Sequence, residues 1–190
     1  WAILPAKLYE IRAFLVLRAA GHPAALQFQA ASAQPLSRVD GQIAVLRLTG
    51  LIAHHAGMEM DISGGTSTDA FGRAFDRAMA TPDVAAIVID CDSPGGCVEG
   101  VPELAEKIFN ARGQGKKILA VANAAMNSAA YWIASQADEI VSIPSGVSGS
   151  IGVFTAHQAL SKALEREGID VTLISAGKYK TAQLPFGALS

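Results

Sequence analysis

Apolar and polar positions follow two rhythms along this chain, and their order predicts the elements. Five short runs read as strands. They are Gln42–Thr49, where Ile43, Val45, Leu46 and Leu48 dominate, then Val84–Cys91, Ile118–Ala122, Ile140–Ile143 and Asp170–Ser175. Ile118–Ala122 is apolar throughout, the pattern of a strand covered on both faces. Between these runs, apolar residues recur at helical spacing. Phe71, Ala74, Phe75 and Ala78 follow a cap at Ser67 or Thr68 and stop before Pro82. Val101, Leu104, Ala105 and Ile108 form a second set. Ala129, Ala130, Ile133, Ala134 and Ala137, opened by Ser128, form a third. A fourth helix is expected around His157–Glu167, ended by Gly168. Strands and helices alternating through short connections predict a layered α/β fold with a mainly parallel sheet and repeated βαβ units.

Ahead of this pattern, Pro5–Ala20 reads as an amphipathic helix with Leu4, Leu8, Ile11 and Leu15 on one side and Gly21 as its stop. Ala24–Ser37 reads as a linker. Residues 1–37 are thus expected to be an N-terminal helical arm serving packing or assembly, and 38–190 the functional domain.

Composition narrows the picture. Only 17% of the 190 residues are charged, against about 25% in an ordinary soluble domain, which suggests a surface partly covered by other subunits. A net charge of −2 with scattered lysines and arginines leaves no basic stripe, so no nucleic-acid partner is expected. Cys91 and Cys97 fit neither a disulfide framework nor a zinc site. Ala13–Leu17 lies between Arg12 and Arg18, far short of the roughly 20 apolar residues of a spanning helix. The first residue is Trp1 rather than methionine, so residues are expected to precede it.

Candidate chemistry begins with Ser128, at a strand-to-helix joint and followed by two small residues, where a hydroxyl could act as nucleophile or merely cap the helix. Gly95-Gly96 follows a strand and precedes a helix, which suits an oxyanion, a phosphate or an ordinary tight turn. It lacks the spacing and lysine of a nucleotide-binding loop. The adjacent His54 and His55 have no third ligand at sensible spacing and read as solvated loop residues, so no metal is expected. A serine nucleophile needs a base. His22, His54, His55 and His157 neither exclude nor establish a triad, and Lys180 is the other candidate. A lysine acting as base must shed its proton, which requires desolvation to bring its pKa from about 10.4 towards ~7–8.

Four motifs occur in order: Asp92-Ser93-Pro94-Gly95-Gly96, Asn127-Ser128-Ala129-Ala130-Tyr131-Trp132-Ile133, Gly149-Ser150-Ile151-Gly152 and Gly177-Lys178-Tyr179-Lys180. Together they resemble the signal peptide peptidase A family of Ser/Lys proteases, relatives of the Clp protease and crotonase-like fold, over about Gln42 to Ser190. Within it the chain is most similar to the phage head-maturation group. That narrower likeness rests on the N-terminal arm, the Ala156-His157 helix start, and Lys180 followed by Thr181–Ser190 with Pro185-Phe186. The resemblance implies Ser128 as nucleophile, Lys180 as general base and Ser150 as the residue orienting that base. It places the N–H groups of Gly96 (or Gly95) and Ala129 at the oxyanion hole.

It also implies a serine endopeptidase without cofactor or metal, assembled as a ring-like homo-oligomer. Its expected substrates are phage scaffold or capsid proteins, inside the procapsid in the host cytoplasm. Three alternatives stay open: a membrane-associated signal peptide peptidase, an acyl-CoA hydratase-like enzyme of the same fold, and a non-catalytic assembly subunit. Two departures stand out. Ala129 and Ala130 replace the glycines usual after the nucleophile, and the sequence ends ten residues after Lys180, so the C-terminal part of the family domain is expected to be missing.

Overall fold

The computed structural model describes residues 2–3, 16, 37–40, 42–55, 64–177 and 179–186. The arm helix expected over Pro5–Ala20 lies outside them apart from Val16, and so does most of the expected linker. The chain forms two compact units, residues 1–153 and 154–190.

The first unit is a mainly parallel sheet with helices packed on it. Its strands are β1 (Ala2–Ile3), β2 (Ser37–Asp40), β3 (Ile43–Ala53), β4 (Gly65–Ser67), β5 (Ala86–Gly96), β6 (Lys117–Asn127), β7 (Glu139–Ser142) and β8 (Val147–Gly149). The spatial order is β2-β3-β5-β6-β7, with β4 on β3, β8 on β6 and β1 on β5. The β3–β5, β5–β6, β6–β7, β3–β4 and β6–β8 pairs are parallel, and among the described residues only β2–β3 and β1–β5 are antiparallel. Parallel neighbours need crossovers, and the first two helices supply those leading into β5 and β6: α1 (Thr68–Ala80) between β4 and β5, and α2 (Val101–Ala111) between β5 and β6. The short α3 (Ala129–Ala134) follows β6.

Sequence chemistry accounts for these ends. The Ser67 hydroxyl accepts the Ala70 N–H at 3.1 Å, an N-cap on α1. Gly100 opens α2 in the left-handed region at φ +75°, where a side chain would collide with the His54 ring and the Thr68 hydroxyl. At the start of β6, the Ile118 N–H donates to the Asp138 carboxylate at 2.8 Å.

One sheet face carries the core. Ile87, Ile89 and Cys91 of β5 and Ile118, Ala120 and Ala122 of β6 are buried with Phe71, Phe75, Leu104, Ile108 and Ile133. The alternate residues Val88, Leu119 and Val121 are only half-buried among the described residues. Ile118–Ala122 is therefore not the doubly covered strand that its unbroken apolar run predicts. Alanine and leucine satisfy either environment, so the run could not reveal which face was open.

Two stretches beyond the predicted strand ends are also strand. Asp92–Gly96 continues β5, paired to Leu51–Ile52, and Asn123–Asn127 continues β6, paired to β8. Neither stretch is apolar enough to announce this; the pairing partners hold it extended.

The second unit, residues 154–190, contains α4 (Ser161–Arg166), shorter than the helix expected over His157–Glu167. The Leu160 N–H donates to Pro185 O at 2.6 Å, and the His157 Nε2 lies 3.2 Å from Leu184 O. Asp170–Ser175 is irregular rather than the strand its pattern predicts. Ile169, Val171, Leu173 and Ile174 are exposed, so no buried face rewards the extended form.

Cys91 is sealed in the core, where burial first, and the Asp90 and Asp92 carboxylates next, push its thiol well above the ordinary cysteine range. It stays protonated and inert at neutral pH. A thiol reagent is expected to spare Cys91 in the folded protein and to modify it after unfolding in guanidinium. Mass-spectrometric detection of native Cys91 labelling would contradict this.

Candidate active site

The site grows out of the C-terminal ends of β5 and β6, where parallel strands of an α/β sheet present their loops. Along β5, pairing with β6 ends at Ser93↔Met126, beyond an irregularity after Cys91. Gly95-Gly96 and Asn127-Ser128 thus continue past the last paired position on two neighbouring strands. β8 then takes over the far edge of β6, with Asn127 opposite Gly149.

Ser128 is the joint between β6 and α3. It holds φ +53° and ψ −114°, a conformation that costs a non-glycine residue about 1–3 kcal/mol. Its side chain makes no capping bond to α3, which removes the helix-cap reading of this serine. Instead the Ser128 N–H donates to Gly149 O at 2.7 Å, and Oγ lies 3.5 Å from Gly152 O, a long contact. The hydroxyl is only weakly engaged, at a residue that is 6% exposed and followed by the fully buried Ala129 and Ala130. A strained serine on a strand–turn–helix joint is the geometry that presents a nucleophile.

The Gly95-Gly96 end of β5 is held by a residue that sequence reasoning passed over. Ser93, fully buried, donates from Oγ to Gly50 O at 2.6 Å and accepts the Gly95 N–H at 3.1 Å. It ties the β3 irregularity between Thr49 and Leu51 to the last turn of β5. Its signal was a short hydroxyl two residues before a φ-positive glycine, the local pattern of a serine-closed turn. Ser93 thus engages the Gly95 amide.

Gly96 is fixed by contact. A Cβ there would lie 1.8 Å from Ile52 O. On the neighbouring strand Thr66 braces the same region, its hydroxyl accepting the Thr49 N–H and donating to Thr49 O, both at 2.9 Å.

Ser150 stands in the first unit, exposed, at φ +51°, between Gly149 and Gly152, whose carbonyls face Ser128. The structure therefore brings the Ser128, Gly95-Gly96, Ala129 and Gly149–Gly152 motifs to one end of one sheet. Lys180 belongs to the second unit, where it is exposed and its N–H donates to Gly177 O at 3.2 Å. His54 and His55 are exposed loop residues, their rings 4.1 Å apart, with His54 Nδ1 3.0 Å from the Thr68 hydroxyl. Among the described residues no cluster of histidine, cysteine or carboxylate groups could hold a metal, and no helix is long and apolar enough to cross a membrane.

The chain is similar in sequence to known proteins. Head-tail preconnector protein GP5 of Enterobacteria phage P21 is 36% identical over 152 residues, 80% of this chain and 30% of that protein. Capsid assembly protease C of Escherichia phage lambda is 33% identical over 147 residues, 77% of this chain and 33% of that protein. The chain thus spans about a third of the length of these curated relatives. Among solved structures, a probable enoyl-CoA hydratase from Mycobacterium thermoresistibile covers 59% of this chain and 50% of its own, at 17% identity and TM-score 0.43. Residues 110–190, which hold Ser128, Ser150 and Lys180, match peptidase family S49, and this part of the chain belongs to that family.

Proposed function

We propose that the chain is the catalytic portion of a Ser/Lys endopeptidase that matures phage heads by cutting scaffold or capsid proteins. The observation that carries this reading is the strained, uncapped Ser128 beside the Gly95-Gly96 end of β5. The names of the phage relatives support the setting.

Lys180, as a neutral amine, takes the Ser128 proton while Oγ attacks the peptide carbonyl carbon. The N–H groups of Gly96 and Ala129 receive the developing oxyanion. Collapse breaks the C–N bond, and the lysine ammonium protonates the departing amine. Neutral Lys180 then takes a proton from water as its oxygen attacks the acyl carbon; collapse breaks the ester C–O bond, the ammonium returns the proton to Ser128 Oγ, and the acid is released. Ser150 orients the lysine. The amine is supplied within one protomer or by a neighbouring copy, and a ring-like homo-oligomer would shelter it from water.

Denatured casein digested at graded pH tests this. Only the neutral amine is active, so initial rates should climb about tenfold per pH unit through the neutral range before levelling on the alkaline side. Lys180→Met should lose that climb. A rate that is flat from pH 6 upward, in a protein that does cut casein, would eliminate the lysine base.

A further inference from the structure

The end of β5 has two edges, and they have different owners. On one side β3 stays paired to the last residue, with Leu51 opposite Gly95 and Ile52 opposite Gly96. On the other, β6 is paired only as far as Ser93↔Met126 before it turns away through Asn127 into Ser128. That leaves the backbone of Gly95-Gly96 open on the side of the strained serine. The opening is filled by the chain itself: Ala2 lies opposite Gly96 and Ile3 opposite Gly95, antiparallel to β5.

A strand edge made of two glycines admits another backbone closely and recognises it by main-chain hydrogen bonds. Any extended peptide delivered to Ser128 along β5 would need this same edge. We propose that the Ala2–Ile3 segment is an internal competitor, a strand that occupies the peptide-binding edge of β5 and must leave before an extended polypeptide can lie beside Ser128. The competition with substrate rests on the peptidase reading above, whereas the strand pairing does not.

Covalent attachment makes the segment's binding intramolecular, so a peptide in solution meets a site that is mostly filled. Its apparent dissociation constant is the intrinsic one divided by the fraction of open sites. A chain open about one tenth of the time would bind tenfold more weakly than a permanently open one.

The full chain carrying Ser128→Ala binds without cleaving, which separates occupancy from chemistry. The added pair Ala2→Pro and Ile3→Pro removes both N–H donors from the competing strand. Fluorescence anisotropy with a labelled Trp-Ala-Ile-Leu-Pro peptide as probe should show at least tenfold tighter binding to the double-proline chain. Equal affinity for the two chains would overturn the proposal. A second measurement needs no probe affinity: amide exchange over residues 94–97 should quicken in the double-proline chain and slow again when the peptide is added. Unchanged exchange there would overturn the proposal as well. Because both readouts come from a chain without its nucleophile, they stand apart from the casein assay. Failure of casein cleavage removes the peptidase reading and leaves the strand pairing to be judged by exchange and anisotropy.

Discussion

Ser128→Ala is expected to lower the turnover of denatured casein by roughly 10⁴–10⁶-fold, the scale on which loss of a serine nucleophile acts elsewhere. The fold should not notice. Among the described residues the hydroxyl makes only the 3.5 Å contact to Gly152 O, so stability should change by less than about 0.5 kcal/mol. Ser128→Gly separates strain from chemistry. It is equally inactive, yet it removes the Cβ from a backbone held at φ +53° and ψ −114°. That relief should raise stability by about 1 kcal/mol, seen as a thermal midpoint ~2–4 °C higher. An alanine variant that still cut casein at the original rate would dismiss Ser128 as nucleophile. A glycine variant less stable than the parent would show that the conformation is not strained.

Gly96→Ala should damage the structure itself. Its Cβ would fall 1.8 Å from Ile52 O and 2.6 Å from Ile52 C and N, all backbone atoms of the paired strand β3. No rotamer can absorb that overlap, so β3 and β5 must part locally. The expected cost is about 4 kcal/mol or more, in the range reserved for severe lesions. At ~2–4 °C per kcal/mol the midpoint drops by ~8–16 °C, and much of the protein would fail to accumulate in soluble form. Gly72→Ala is the internal control. Gly72 sits inside α1 with its nearest neighbours at 3.8–4.0 Å from a built Cβ, an ordinary contact distance. Alanine is the better helix former by about 0.8–1.0 kcal/mol, so this variant should melt higher. Differential scanning calorimetry of the pair decides the matter, and similar midpoints would show that β3 yields more easily than its pairing suggests.

The two glycines look alike in the sequence, and what separates them is the neighbour each one meets. The same distinction runs through the site. The residues of the four motifs could be singled out as candidates from their order, because nucleophile, oxyanion donor and base are tasks open to few residue types. The role of Ser93 could not be seen so directly. Its importance comes from Gly50 O, 43 positions away in the chain, and from the Gly95 amide, a conjunction that exists only after β3 and β5 pair. Ser128 as a helix cap and Ser128 as an uncapped elbow share one sequence, and only the backbone angles choose between them.

Local pattern decided that strands would alternate with helices, that the sheet would be mainly parallel, and which stripes of Phe71, Phe75, Leu104 and Ile108 would face the core, because periodicity reports which side of an element seeks burial. Only the tertiary structure decided that β5 and β6 would run on through polar and glycine residues, and that Asp170–Ser175 would not become a strand. It also decided that Ala2–Ile3 would lie along the open edge beside Ser128. Each of these depends on whether a hydrogen-bonding partner stands alongside. A backbone edge has no side-chain signature, so its partner is fixed only when distant segments of the chain come together.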